Sequence, residues 1–182
     1  MIFGLFRKKN GNQRIVEKQY ASLTAAAREP YLYEALDVPD TVMGRFEMLS
    51  AVLILYFRRT RSSGVSGQEI AQEIVDAFFE DVDHSIRELG VGDVSVPKRM
   101  KKLAGMFYGR LQSYAQALDA ADRPALAAAL ARNFHPSADG KAPSMEGLAD
   151  YLFEAEAYMA ARGEDDVSSG TLPFPPPSGA FA

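Results

Sequence analysis

The sequence predicts an all-α protein, a compact bundle of six or seven helices followed by a disordered C-terminal tail. Three observations carry this. Apolar residues recur at three- and four-residue spacing, and no run alternates as a half-buried strand would. Helix breakers at Pro30, Ser62-Ser63-Gly64, Gly90-Val91-Gly92-Asp93 and Gly163 cut the chain into helix-length pieces. Finally, 182 residues with 47% hydrophobic and 24% charged side chains are ordinary for one globular domain. The expected layout is a basic, apolar N-terminal arm (1–13), a helical domain (14–162) and a Pro-rich tail (163–182).

In chain order, the first helix is expected over about Arg14–Ala27, with Ile15, Tyr20, Leu23 and Ala27 on one side. A short turn of helix (Tyr31–Leu36) follows Pro30. The run Val38-Pro39-Asp40-Thr41 reads as a helix start, with Asp40 the better cap, for a helix reaching Arg59. Being apolar all round from Met48 to Phe57, that helix belongs at the centre. The next, Gln68–Leu89, turns Ile70, Ile74, Phe78, Val82, Ile86 and Leu89 inward. After the Gly90–Asp93 break, Ser95-Val96-Pro97 opens a helix to about Leu118, with Met100, Leu103, Phe107, Leu111, Tyr114 and Leu118 inward. Asp122 caps an Ala-rich helix ending near Phe134, and Ser144 caps the last, to about Arg162. From Gly163 onward four prolines fall between Pro173 and Pro177, which predicts a disordered, polyproline-like tail.

Composition removes several chemistries. There is no Cys, so disulfides, thiolate metal sites and Cys nucleophiles are absent. Two histidines exclude a multi-histidine metal centre and leave few partners for a nucleophilic Ser. No phosphate-binding loop, nucleophile elbow or dinucleotide fingerprint occurs. Asp81, His84 and Glu88 follow one helix edge, but a carboxylate-bridged site needs a second Glu-x-x-His helix that the sequence does not supply. The reading is a non-enzymatic protein without metal or cofactor.

Charge is segregated behind a net of -4. Residues 68–89 hold seven acids and one base, whereas residues 97–110 hold five bases and no acid. Part of this charge can pair across an antiparallel hairpin; the other reading is a basic surface offered to phospholipid headgroups, RNA or an acidic partner. Two glycines inside that basic helix, Gly105 and Gly109, each cost about 1 kcal/mol relative to Ala. Their spacing implies close approach of another backbone, either from this chain or from outside it. Phe79 and Tyr108 fall off the inner stripes, where they can line an apolar groove. At the N-terminus, Phe3, Leu5 and Phe6 precede Arg7, Lys8 and Lys9, a pattern that fits either an anionic membrane surface or a solvated arm. No stretch reaches the ~20 apolar residues of a membrane span.

The run Ala27-Arg28-Glu29-Pro30, with Tyr33, Val38-Pro39-Asp40-Thr41 and Gly44-Arg45-Phe46-Glu47, resembles the opening of the ubiquinol–cytochrome c chaperone family. Asp83-x-x-x-Arg87-Glu88-Leu89-Gly90-Val91-Gly92-Asp93, then Val96, Met100-Lys101-Lys102 and Phe107-Tyr108-Gly109-Arg110, is similar to its central signature. Ala129-Leu130-Ala131-Arg132-Asn133 is similar to a third recurring stretch. The resemblance implies an all-helical assembly factor that binds newly made cytochrome b and supports assembly of ubiquinol–cytochrome c reductase. Mitochondrial relatives act with a small partner protein and near the ribosome. The short N-terminus, lacking a Ser-rich presequence, is similar to bacterial cytoplasmic members, with a peripheral place at the inner membrane. DNA is not an expected partner.

On this reading the partner surface comprises Asp83, Arg87, Gly90, Asp93, Lys98, Arg99, Lys101, Lys102, Gly105, Tyr108, Gly109 and Arg110. Asp83 and Arg87 should pair along their helix, and Gly90 should supply the positive φ of a helix stop. Whether these residues bind a partner or shape the hairpin stays open at this point. The alternative function is a peripheral lipid- or RNA-binding helical module without a protein client.

Overall fold

The structure, a computed structural model, describes residues 3–138 and 141–177, with side chains from Asn12 to Ala138 and in 141–177. Eight helices follow one another: α1 (Phe3–Ala26), α2 (Pro30–Ala35), α3 (Val42–Thr60), α4 (Val65–Glu88), α5 (Val96–Asp119), α6 (Arg123–Phe134), α7 (Glu146–Ala160) and the single turn α8 (Glu164–Ser168). No strand occurs among the described residues, so the all-α expectation holds.

Helix α3 is the axis of the bundle. It packs against α1, α4, α5, α6 and α7, and its apolar run explains why: Met48 and every residue from Val52 to Ile54 is fully buried, as is Tyr56. Ile70, Ile74 and Phe78 reach it from α4, Phe107 and Tyr114 from α5, and Leu126, Leu130, Leu148 and Leu152 from α6 and α7. Arg58, largely buried, gathers three helices by pairing with Glu156 of α7 and with Asp119 of α5 at 2.8 Å.

Helix α3 starts one residue later than the sequence implies. Thr41, not Asp40, is its cap: the Thr41 hydroxyl accepts from the Gly44 amide at 3.0 Å, while Asp40 pairs with Arg45 at 2.7 Å. Gly44 has a steric reason to be glycine, since a Cβ there would meet the Pro39 carbonyl oxygen at 1.9 Å. Of the other two expected caps, Asp122 accepts from Ala125 N–H at 2.9 Å, whereas α7 starts on Met145, left-handed at φ 56°, and Ser144 lies one residue outside the cap.

Both ends differ from expectation. Helix α1 starts at Phe3, so the arm and the first helix are one element. The side chains of Phe3, Leu5, Phe6, Arg7, Lys8 and Lys9 lie outside the described residues. At the other end, residues 163–177 are docked instead of disordered; residues 178–182 lie outside the described residues. Val167 and Leu172 are fully buried. Gln19 exchanges two hydrogen bonds with the Leu172 backbone, each 2.9 Å, and the Tyr151 hydroxyl donates to the Pro175 carbonyl at 2.8 Å. Glu164 accepts from Ser63 Oγ and from the Gly64 amide at the α3–α4 turn. Gly170, at φ 65°, brings the strap so close to α1 that a Cβ would meet the Ile15 carbonyl oxygen at 2.5 Å. The proline content does not prevent this, because an extended segment needs only a few side-chain partners to satisfy its backbone.

Candidate functional site

Helices α4 and α5 extend past the body that holds them. Three contacts fix the register: Phe46 stacks on Phe78 with centroids 5.9 Å apart, Glu47 meets Arg110, and Arg58 meets Asp119. From Phe46 and Glu47, α3 has only four or five residues left to its start at Val42. Over the same direction α4 continues ten residues from Phe78 to Glu88, and α5 fourteen from Arg110 back to Val96. At 1.5 Å per residue the hairpin overhangs α3 by roughly 10 Å. Burial agrees: Ile86 and Val96 are buried in the overhang, yet neither belongs to the continuous core cluster. They pin the projecting helices to each other.

The turn at the tip is built to be rigid. Leu89 closes α4, Gly90 follows at φ 78°, and the amides of Val91 and Gly90 bond to the carbonyls of Ile86 and Arg87. This is a Schellman stop, with glycine at the left-handed position as expected. Arg87 braces it. Its guanidinium donates to Asp83 one turn back at 2.6 Å and to Asp93 across the turn at 2.5 Å. The hydrogen bond from Arg87 holds the Asp83 carboxyl below its ordinary value. Asp83, Arg87, Gly90 and Asp93 are thus one local device that sets the path from α4 to α5.

Arg110 is turned inward. It forms a two-pronged pair with Glu47, Nε–Oε2 at 2.8 Å and Nη2–Oε1 at 2.7 Å, and the Glu47 side chain is only 2% exposed. Burial raises the Glu47 carboxyl, and the two Arg110 hydrogen bonds pull against that rise. Arg110 therefore clamps α5 to α3 and leaves the surface set. An acid inside the buried stretch of α3 was the signal available in the sequence, because a buried carboxylate demands a cation.

The remaining residues face solvent. Lys98, Arg99, Lys101 and Lys102 are exposed, and none has an ion-pair partner among the described residues. The expected pairing with the acids of α4 is not made. A Cβ added at Gly105 or Gly109 would meet nothing within 4 Å, which excludes a partner helix from the rest of the described chain. Tyr108 is 55% exposed beside them, whereas Phe79 packs edge-on against Phe107 at 5.8 Å. Leu89, placed on the inner stripe by periodicity, is 60% exposed, because the body ends beneath it. On the flank of α4, Asp76, Phe79, Glu80, Asp83 and His84 line an open depression of about 380 Å³. Asp81 accepts the Tyr20 hydroxyl at 3.0 Å, and no group of three acidic or histidine side chains is placed to hold a metal among the described residues. No helix among them is long and apolar enough to cross a membrane.

Comparison with known proteins agrees with this geometry. The crystal structure of the Cbp3 homolog from Brucella abortus matches with a TM-score of 0.87 and 44% sequence identity, covering 97% of this chain and 98% of that one. The ubiquinol-cytochrome-c reductase complex assembly factor 1 of Xenopus laevis is 25% identical over 145 residues, which are 79% of this chain and 72% of the relative. The human protein of the same name is 27% identical over 140 residues, 76% of this chain but 46% of its own length. The chain thus spans about half the length of the human relative, and likewise of the mouse one. The family described as Ubiquinol-cytochrome C chaperone matches residues 34–174, a span that takes in the hairpin, its clamp and the docked strap, and the chain belongs to that family.

Proposed function

We propose that this protein is a non-enzymatic assembly factor that binds newly made cytochrome b and supports assembly of ubiquinol–cytochrome c reductase. The observation that carries the reading is the projecting α4–α5 hairpin, whose exposed cations and open glycine notch have no partner among the described residues. A helix that gives up about 1 kcal/mol at each of two solvent-facing glycines keeps a flat track on which another helix can lie. Family membership and the names of the relatives support a role in assembly of the reductase; cytochrome b as the client is part of the proposal. The surface consists of Lys98, Arg99, Lys101, Lys102, Gly105, Tyr108 and Gly109. Asp83, Arg87, Gly90 and Asp93 hold its shape.

Affinity purification of the full chain from a detergent-solubilised, membrane-containing lysate tests the proposal. Enrichment of cytochrome b, together with loss of assembled reductase on deletion, is the expected pair of results. Cytochrome b at background level beside a normally assembled reductase refutes it.

A further inference from the structure

We propose that the tip of the α4–α5 hairpin docks on an anionic phospholipid surface, with Leu89 and Val94 entering the headgroup layer and the Lys98–Lys102 cluster binding lipid phosphates. This goes beyond the client reading: it shares the Lys98–Lys102 cations with that reading but does not need the client, and it adds Leu89 and Val94. Three features of the tip meet at one place. Leu89 and Val94 stand 60% and 96% exposed on either side of the turn, two aliphatic side chains at the outermost point of a projecting element. Just behind them, Lys98, Arg99, Lys101 and Lys102 spread over roughly 160° of α5 at 100° per residue, all exposed. Among the acids nearby, Asp83 and Asp93 are already engaged by Arg87.

The position of these cations is itself informative. They occupy the first two turns of α5, the positive end of the helix dipole, where cations are disfavoured. No acid lies in the first turn, and Ser95 makes no side-chain cap bond to the free amides. Pro97 still marks the helix start, but the electrostatics of that start are reversed, and an external anion balances the cations and the uncapped amides together. A surface of lipid phosphates does so while also accepting the two aliphatic side chains. An acidic peptide or RNA would neutralise the charge but leave Leu89 and Val94 bare at the tip.

Vesicle flotation of the full chain tests the proposal, using phosphatidylcholine alone against phosphatidylcholine mixed with phosphatidylglycerol in roughly equal parts. Binding is expected only with phosphatidylglycerol present and should fall with added salt. Replacing Lys98, Arg99, Lys101 and Lys102 by Ala should weaken it on the order of 100- to 1,000-fold. The pair Leu89→Ser and Val94→Ser should weaken it about tenfold or more with every charge retained. All six positions are exposed, and a melting temperature at or above that of the wild type certifies the fold. Failure to float with either vesicle overturns the proposal, as does equal binding to both. So does binding that survives the fourfold Ala variant but disappears when Arg7, Lys8 and Lys9 become Ala. Cluster-dependent binding of single-stranded RNA without vesicle binding also overturns it. Client capture in detergent, where no bilayer exists, reports separately on the assembly-factor reading.

Discussion

Reversing the basic cluster, with Lys98, Arg99, Lys101 and Lys102 all changed to Glu, separates function from stability in opposite directions. The four side chains are exposed and make no ion pair among the described residues, so removing them breaks no internal contact. Lys98 and Arg99 lie in the first turn or its edge, where a cation opposes the helix dipole by about 0.3–1 kcal/mol and an anion gains a similar amount. Two such reversals stabilise α5 by about 1–4 kcal/mol, with Lys101 and Lys102 too far along the helix to add much. In a domain of this size, 1 kcal/mol corresponds to roughly 2–4 °C in Tm. The variant should therefore melt at the same temperature or several degrees higher, measured by circular dichroism or calorimetry. In the same variant, cytochrome b capture and reductase assembly should be lost. A Tm lowered by more than a few degrees would mean that the cluster holds the fold. Normal assembly with the reversed charge would mean that the client does not use this face.

Other consequences are as direct. Changing Arg110 to Ala leaves Glu47 buried and unpaired and should cost about 3–5 kcal/mol, read as a drop in Tm of roughly 6–20 °C; Met at both positions should recover most of it. No recovery in the double variant would show that Arg110 does more than neutralise Glu47. Gly105→Ala and Gly109→Ala meet no neighbour, so each should stabilise the helix by about 1 kcal/mol while weakening client capture. Stabilisation without any loss of capture would remove the notch from the binding surface. For the Asp83–Arg87 brace, the sign follows from the lowered Asp83 carboxyl. Its contribution is present above the ordinary aspartate value of 3.8 and is lost as pH falls through the lower folded value. Protection of the amides at residues 89–95, relative to their intrinsic exchange rates, should therefore fall below about pH 4 in the wild type. An Asp83→Asn variant should show fast exchange at neutral pH, and equal protection in both proteins would count against the brace.

Much of the fold was legible in the sequence, because local rules decide where helices start, stop and face. The Met48–Tyr56 run announced the central helix, and the Asp122 cap and the Gly90 stop are local in the same sense. What periodicity does not report is whether a body exists under the apolar face. Leu89 continues the stripe of Ile70, Ile74, Phe78, Val82 and Ile86 yet stands in solvent, since α3 has already ended below it. Thr41 and Asp40 were both competent caps, and Arg45 decided between them by pairing with Asp40. The docking of residues 163–177 escapes composition for a related reason. Their average composition is that of a disordered segment, but docking depends on Leu172 meeting Gln19 and Pro175 meeting Tyr151, the first pair more than a hundred residues apart in sequence. At the site, the cations were evident from charge counting, whereas the inward turn of Arg110 required knowing which helix lay beside α5.

The stretches that resemble the family therefore contain two kinds of residue. Gly44, Glu47, Asp83, Arg87, Gly90, Asp93 and Arg110 all have their reasons inside the molecule: a steric limit at Pro39, a buried ion pair, a Schellman stop and its brace. Glu47 and Arg110 tie α5 to the central helix, Gly44 lets α3 start against Pro39, and Asp83, Arg87, Gly90 and Asp93 fix the turn beyond the core. Lys101, Lys102, Tyr108 and Gly109 have no such internal reason; they lie on the surface that the first group positions. A binding element that overhangs its own core cannot rely on packing for rigidity, so it needs a dedicated set of residues at its root and at its turn. That requirement explains why so long a stretch of sequence is recognisable while so small a part of it is free to touch another molecule. If the proposed client binds this face, a variant in the first group should act on it only through the geometry of the hairpin, and a variant in the second without disturbing that geometry.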